Sequence, residues 1–447
     1  MHLAKENGTL PHPGFAANKL DEGGRLTLSS DLSQEAAVPS DTGRTLQREM
    51  IGEPMIYAGV DIAKVDHVIG AVDERGAELC KPMPFKNTEE GFERAVAWLE
   101  GLAENPSGVV VGMEATGSYW MACYALLAAR GYVVAVINPI QVKAVRKLKG
   151  LDKVKNDRVD AGLIAETLRI GQFEQTRLAT DEMQSLRTLT RYHQSLKAEI
   201  AQVKTQCIAV MDSYFPEYDG VFSDMFGAGS RAVLGNWPLP FELDRKQARS
   251  LAGAIGEASR NSKSAASKAA EIKARAKSSV GIRIGQEAAS FQIRSLTRQV
   301  EFLEEECSKV EKMVDELLAK IEPLILTIPG IGHKTGAQIV SEIGDVTRFR
   351  SAASLVKYAG LNSSVNQSGQ FDSGGGKITK SGSPYLRRAL WLAANRARKY
   401  DPKLGAFYAK KRAEGKPHRV AVTAVARKLC HVVYAVLRDQ KPYDPDR

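Results

Sequence analysis

Two stretches of this 447-residue chain carry apolar residues in alternating three- and four-residue steps, and they constrain the fold most. The first is Leu186, Leu189, His193, Leu196, Ile200, Val203, Cys207 and Val210. The second is Ile293, Leu296, Val300, Leu303, Cys307, Val310, Val314, Leu317, Ile321 and Leu324. A seam of that period held over three or more heptads makes a helix one strand of a coiled coil. Residues 180–325 therefore read as coiled-coil arms, either a long antiparallel pair within one chain or a dimer arm. Assembly into a homo-oligomer, dimer or tetramer, is expected from the same heptads. His193 on the seam reads as a polar residue that sets register rather than as a ligand. Between the arms, 212–290 starts Pro-rich and becomes an Ala/Ser/Lys-rich helical insert whose function the sequence does not disclose.

Upstream of the arms the period changes. Residues 1–54 are polar and Gly/Ser-rich, with no sustained apolar pattern, and read as a disordered extension. From 55 to 175 the chain reads as an α/β domain. Strands are expected at 56–62, 66–72 and 78–85, the last two joined by the Asp73-Glu-Arg-Gly76 turn. A helix over 88–103, a strand over 109–113, a helix over 118–130, a strand over 132–137 and a basic helix from Pro139 follow. Three meandering strands followed by alternating helices and strands is the layout of an RNase H-like (RuvC-like) domain. That step is fold analogy.

Four carboxylates stand out in this domain. Asp61 lies in the apolar run Tyr57-Ala-Gly-Val-Asp-Ile62, and Glu114 ends Val109-Val-Val-Gly-Met-Glu114. Asp157 and Asp160 follow at helical spacing. A carboxylate in or at the end of a buried strand costs desolvation free energy unless a cation or hydrogen bonds compensate it. Phosphoryl transfer uses divalent cations, and Mg²⁺ (or Mn²⁺) prefers carboxylate and water oxygens. Asp157 and Asp160 alone could equally be a solvated helix start. The set of four in this order is the more specific signal.

The remainder, 326–440, reads as a mainly helical C-terminal domain. It opens at Leu326-Thr-Ile-Pro-Gly-Ile-Gly332, where helices flanking a P-G-I-G turn would form a helix-hairpin-helix. Gly330 and Gly332 would there let backbone N–H groups approach a phosphate. A Ser/Gly-rich loop follows, with Ser363, Ser364, Ser368 and Ser373, and its composition does not single out a nucleophile. From Ser373 to the C-terminus there are 18 Lys/Arg against 5 Asp/Glu, a local net of +13 beside +10 for the whole chain. Such a surface suits a polyanionic partner.

The five cysteines are scattered and lack a C-x-x-C pair, which fits neither a disulfide framework nor a zinc site. No run approaches the roughly 18 apolar residues of a membrane span. A soluble, cytoplasmic protein is expected, with no membrane partner.

The carboxylate set, the P-G-I-G turn, Asn366-Gln-Ser-Gly369 and Gly376-Lys-Ile-Thr-Lys-Ser-Gly-Ser-Pro-Tyr-Leu-Arg-Arg388 resemble the DEDD transposases of the IS-one-ten insertion-sequence family. The resemblance is closest to the subgroup with a Q-S-G serine motif and covers about 56–169 and 326–437. It implies a RuvC-like domain joined by a coiled coil to a transposase domain, acting on double-stranded DNA under a non-coding guide (bridge) RNA. The family's acids fall on Asp61, Glu114, Asp157 and Asp160, and its catalytic serine on Ser368, with Ser373 the competing assignment. Ser368 would attack a DNA phosphate to give a phosphoserine link while the carboxylates hold Mg²⁺. Lys377, Lys380, Arg387 and Arg388, with Arg396 and Arg398, would line a nucleic-acid surface. The alternatives are a RuvC-like metal-dependent junction nuclease with a structural serine loop, and a non-catalytic nucleic-acid scaffold.

Overall fold

The structure, a computed structural model, describes residues 55–114, 119–151, 156–171, 180–260, 262–363, 367–368, 371–372 and 378–446. The expected extension over 1–54 lies outside them. The chain divides into two compact units, 1–177 and 178–447.

The first unit is a mixed α/β domain. Its strands are β1 (Ile56–Asp61), β2 (Asp66–Val72), β3 (Glu78–Lys86), β4 (Val109–Glu114) and β5 (Val133–Ile137). They form one sheet in the order β3-β2-β1-β4-β5. β1 pairs antiparallel with β2 and parallel with β4, and β4 pairs parallel with β5. Helices α1 (Glu89–Glu100), α2 (Trp120–Ala129), α3 (Pro139–Leu148) and α4 (Asp157–Ile170) complete it. Thr88 caps α1 and Asn138 caps α3, each side chain accepting a first-turn N–H. β4 is buried over most of its length and β1 over its inner half, so a period-2 pattern gives way to continuous apolar runs.

The second unit is almost wholly helical. Helix α5 (Asp181–Tyr214) packs along α10 (Gln286–Ile321). The cross-contacts His193–Glu311, Lys204–Glu304 and Ser213–Ile282 run in opposite senses, so the two heptad series form an antiparallel pair within one chain. His193 Nε2 lies 2.8 Å from Glu311 Oε1, which makes it a seam residue tied across the pair. The insert folds as α6 (Ala228–Asn236), α7 (Pro240–Asp244), α8 (Ala248–Ser259) and α9 (Ser262–Lys277). Leu234, Leu243, Leu251 and Ile272 share one core with Ile293 and Leu296 of α10.

Beyond the arms lie α11 (His333–Ile343), α12 (Ala352–Tyr358), α13 (Pro384–Tyr400), α14 (Pro402–Ala413) and α15 (His418–Asp439). The expected helix-hairpin-helix is corrected here. The element before the P-G-I-G turn is a short 3-10 stretch, Leu324–Thr327, instead of an α-helix. Pro323 and Pro329 bracket it, and each disfavours helix in its neighbour. Among the described residues, α15 is long and apolar enough to cross a membrane. Its Val422, Val425, Leu429 and Val433 are buried in one core with Leu386, Leu390 and Ala393 of α13. The expectation that no run approaches the length and hydropathy of a span is therefore corrected, with the apolar side of α15 spent on the core of this domain.

Candidate carboxylate site and serine loop

The four carboxylates are placed by two glycines that the sequence reading passed over. Gly59 of β1 and Gly112 of β4 are register partners in the parallel pair. A Cβ at Gly59 would stand 2.2 Å from the Ala161 carbonyl oxygen and 2.4 Å from Ala165 N. One at Gly112 would stand 2.6 Å from Leu168 Cδ1. Helix α4 therefore lies directly on the bare backbone of the two central strands. That seating brings its first turn, with Asp157 and Asp160, to the strand ends that carry Asp61 and Glu114. A glycine inside an apolar strand is the signal for such close approach.

The register Val60↔Met113 leaves Asp61 and Glu114 at the next position of two neighbouring strands. Asn156 caps α4 by accepting from Arg158 N–H at 3.0 Å, and both aspartates favour the positive end of the helix dipole. Burial first, then repulsion from Asp160, Asp157 and Glu114, pushes the Asp61 carboxyl up to about 6, against the pull of Arg146. Burial also raises Glu114, with Lys143 opposing and Asp160 reinforcing. The four carboxylates thus act on one another as one electrostatic cluster. Glu166 on the same helix behaves oppositely. Hydrogen bonds from Arg169 at 2.6 and 2.8 Å, helped by Lys149 at 3.1 Å, hold it down to about 2.

Among the described residues, no three His, Cys, Asp or Glu side chains stand close enough together to hold one ion. Asp160 Oδ1 instead accepts from Arg146 Nη2 at 2.5 Å. The residues nevertheless fit a divalent cation. They supply oxygen donors from three elements, and their mutual repulsion is the charge imbalance that a cation relieves.

In the second unit, Ser368 lies in a two-residue strand, β6 (Gln367–Ser368), paired antiparallel with β7 (Phe371–Asp372). Ser373 and Lys377 fall outside the described residues. The neck of this loop is well tied. Ser363 bridges to Ile378, Thr379 N–H donates to the Asn362 carbonyl at 2.9 Å, and Thr379 Oγ1 donates to Asn362 Oδ1 at 2.6 Å.

The cations divide. Arg387 is a clamp in place of a free phosphate contact: its Nη1 donates to the carbonyls of Ala359 and Lys380, each at 3.2 Å, spanning the neck. Gly360, at φ +66°, makes room for it. Arg398 donates to Asn395 Oδ1 at 3.1 Å and lies 4.5 Å over the Tyr408 ring. Lys380, Arg388 and Arg396 are exposed. The turn glycines have local duties. Gly330, at φ +93°, packs against the backbone of Ala397 on α13, and Gly332 N–H donates to Thr335 Oγ1 at 3.2 Å.

Comparison with known proteins separates the same two regions. Residues 58–216 match the DEDD transposase family of IS110-type elements, and residues 322–409 match the IS116/IS110/IS902 transposase family. The chain belongs to the IS110/IS116/IS902 family of transposases. It is 28% identical to the insertion element IS900 42 kDa protein of Mycobacterium paratuberculosis, over 87% of this chain and 97% of that protein. It is 24% identical to the pilin gene-inverting protein of Moraxella bovis, over 87% and 97% of the two chains. The putative transposase of the IS117 mini-circle of Streptomyces coelicolor is 24% identical, over 88% and 96%. The protein is a DNA transposase, and its DEDD domain implies dependence on a divalent metal in general terms.

Proposed function

We propose that the transposase cuts and rejoins DNA strands through Ser368, with Mg²⁺ held by Asp61, Glu114, Asp157 and Asp160. The observation that carries this reading is the division of the family match. Its DEDD part contains all four carboxylates, and its second part contains Gln367-Ser368-Gly369. The strand order β3-β2-β1-β4-β5 supports an RNase H-like fold for the first domain. A DNA substrate agrees with relatives named as a transposase and as a gene-inverting protein. A guide RNA and a homo-oligomer belong to the same proposal, with Lys380 and Arg388 as exposed phosphate contacts and Lys377 beside them in sequence.

When bound, the metal supplies positive charge to the phosphate oxygens during transfer. The chain's own residues do the rest. Ser368 Oγ forms a bond to a DNA phosphorus as the bond from phosphorus to a deoxyribose oxygen breaks. The serine proton leaves, and the released sugar oxygen takes one up. The phosphodiester energy is conserved in the phosphoserine link, so a second strand's hydroxyl can reverse the step and rejoin.

The test is trapping of a covalent DNA–protein adduct from cognate DNA, guide RNA and Mg²⁺. The adduct is expected with the wild type and absent with Ser368→Ala. Strand cleavage that survives Ser368→Ala but not Asp61→Ala would establish the junction-nuclease alternative instead.

A further inference from the structure

The insert at the far end of the arms carries a charge imbalance that the arms themselves do not. Between Arg245 and Arg283 there are ten Lys/Arg and two Asp/Glu, a net of +8. Helix α5 by contrast has four of each, and α10 has five basic and eight acidic residues. The arms also neutralise charge across the seam, as in Lys204–Glu304 at 2.8 Å, and Arg231 of α6 reaches the same glutamate at 2.7 Å. Ordinary solvated surfaces intersperse both signs, as the arms do. The α8–α9 hairpin does not.

Its cations have three kinds of placement. Lys273 donates to the carbonyls of Leu243, Asp244 and Lys246, and Arg275 to those of Glu217 and Asp219, so these two knit the insert together. Arg245, Lys246 and Lys268 lie over the rings of Phe241, Trp237 and Phe222 at 6.0, 5.2 and 4.7 Å. Arg249, Arg260, Lys263, Lys277 and Arg283 are exposed, with no carboxylate partner among the described residues. Lys273 fixes the end of α9 beside the α7–α8 junction, which gathers Arg245, Lys246, Arg249 and Lys277 at one end of the hairpin. Arg260 and Lys263 flank its turn. Twelve residues of α8 separate the two groups by about 18 Å, a length that several consecutive phosphates cover.

We propose that this hairpin is a phosphate-backbone binding surface for nucleic acid, separate from the basic C-terminal region and independent of Ser368 and the carboxylates. The apolar faces of α8 and α9 are consumed internally by Leu251, Ile255, Ala265, Ala269 and Ile272. Among the described residues, neither helix exposes a large apolar side chain of the kind that anchors a protein partner or enters a bilayer. What lies between the outer cations is mostly small, Gly253, Ala266, Ser267, Ala270 and Ala274, with Glu257 the one exposed carboxylate on the two helices. A charged backbone can therefore approach closely.

The test compares the full-length wild type with the quadruple variant Arg245→Gln, Arg249→Gln, Lys263→Gln, Lys277→Gln. Binding to duplex DNA and to a structured RNA is measured across a salt series, with circular dichroism and thermal melts as folding controls. The salt dependence, log K against log salt, should become shallower by about 3 for duplex DNA if most of these groups meet phosphates. The charge-keeping variant R245K/R249K/K263R/K277R should retain the wild-type slope. A change confined to RNA, or to DNA, identifies which polymer occupies the hairpin. Unchanged slopes for both polymers overturn the proposal.

Discussion

Arg146 Nη2 donates to Asp160 Oδ1 at 2.5 Å, so a cation of the chain's own helix α3 already partly neutralises the carboxylate cluster. This ion pair and a divalent metal compete for the same oxygen. Arg146→Gln removes the competitor and also the charge that lowers Asp61. The metal-free variant should melt a few degrees below the wild type, since about 1 kcal/mol shifts Tm by roughly 2–4 °C for a unit of about 150–250 residues, the size of the one that holds the carboxylates. Its rise in Tm on adding MgCl₂ should exceed that of the wild type. Scanning fluorimetry with and without Mg²⁺ reads both effects. Equal Mg²⁺ responses in the two proteins would show that Arg146 and metal occupy separate places.

The raised Asp61 carboxyl sets a pH dependence whose sign is definite. Its value moves from 3.8 to about 6 on folding, so between those values the folded state holds more protons than the unfolded one. Stability attributable to Asp61 is present below pH 4 and is lost as pH rises through 6. At pH 7 without metal, Asp61→Asn should therefore stabilise the protein, by about 1–2 kcal/mol once solvent screening is allowed for. The same variant should lose the Mg²⁺-dependent rise in Tm. Urea melts at pH 4 and pH 7 check the sign: the gain should appear at pH 7 and shrink at pH 4.

The fold was legible wherever a period or a cap set it. Both heptad series, the five strands and the starts of α1 and α3 are local patterns, the last two marked by Thr88 and Pro139, whereas the Asn138 and Asn156 caps emerge only in the structure. The carboxylate cluster was legible because an acid in an apolar strand is costly. Its assembly was not, because Gly59 and Gly112 act through contact with Ala161, Ala165 and Leu168, more than fifty residues away. Charge alone also misled. Arg387 sits in a basic run, yet it serves two backbone carbonyls. No local pattern distinguishes a guanidinium over carbonyls from one in solvent.

That clamp carries its own prediction. Arg387 spans Ala359 and Lys380 on the two sides of the neck below Ser368, and Gly360 is shaped around it. Arg387→Ala should slow strand exchange by tenfold or more while the affinity and salt slope for DNA stay near wild type. Arg387→Lys should rescue it in part, because both carbonyls accept from the single nitrogen Nη1 and a lysine ammonium also offers several donors on one nitrogen, though from a shorter side chain. If the variant instead weakens DNA binding in proportion to activity, Arg387 is a phosphate contact after all.

The second tie to the neck comes from the arms. Glu342 is fully buried and accepts from Arg191 Nε and Nη2 at 2.6 and 3.0 Å. Its Oε2 also accepts from Ser383 Oγ at 2.8 Å, and Ser383 caps α13 and donates its N–H to the Tyr358 carbonyl at 2.8 Å. The two partners are unequally placed, since Arg191 is 43% exposed and Glu342 is not exposed at all. Losing the arginine leaves a carboxylate stranded in the interior, whereas losing the carboxylate leaves an arginine that water can reach. Arg191→Met should therefore cost about 3–5 kcal/mol in urea unfolding, and Glu342→Gln clearly less. The double variant should cost less than the two single changes added together, because the stranded charge is then gone. Simple additivity in this cycle would mean that the pair contributes packing alone, and the link from α5 to the start of α13 would not be electrostatic.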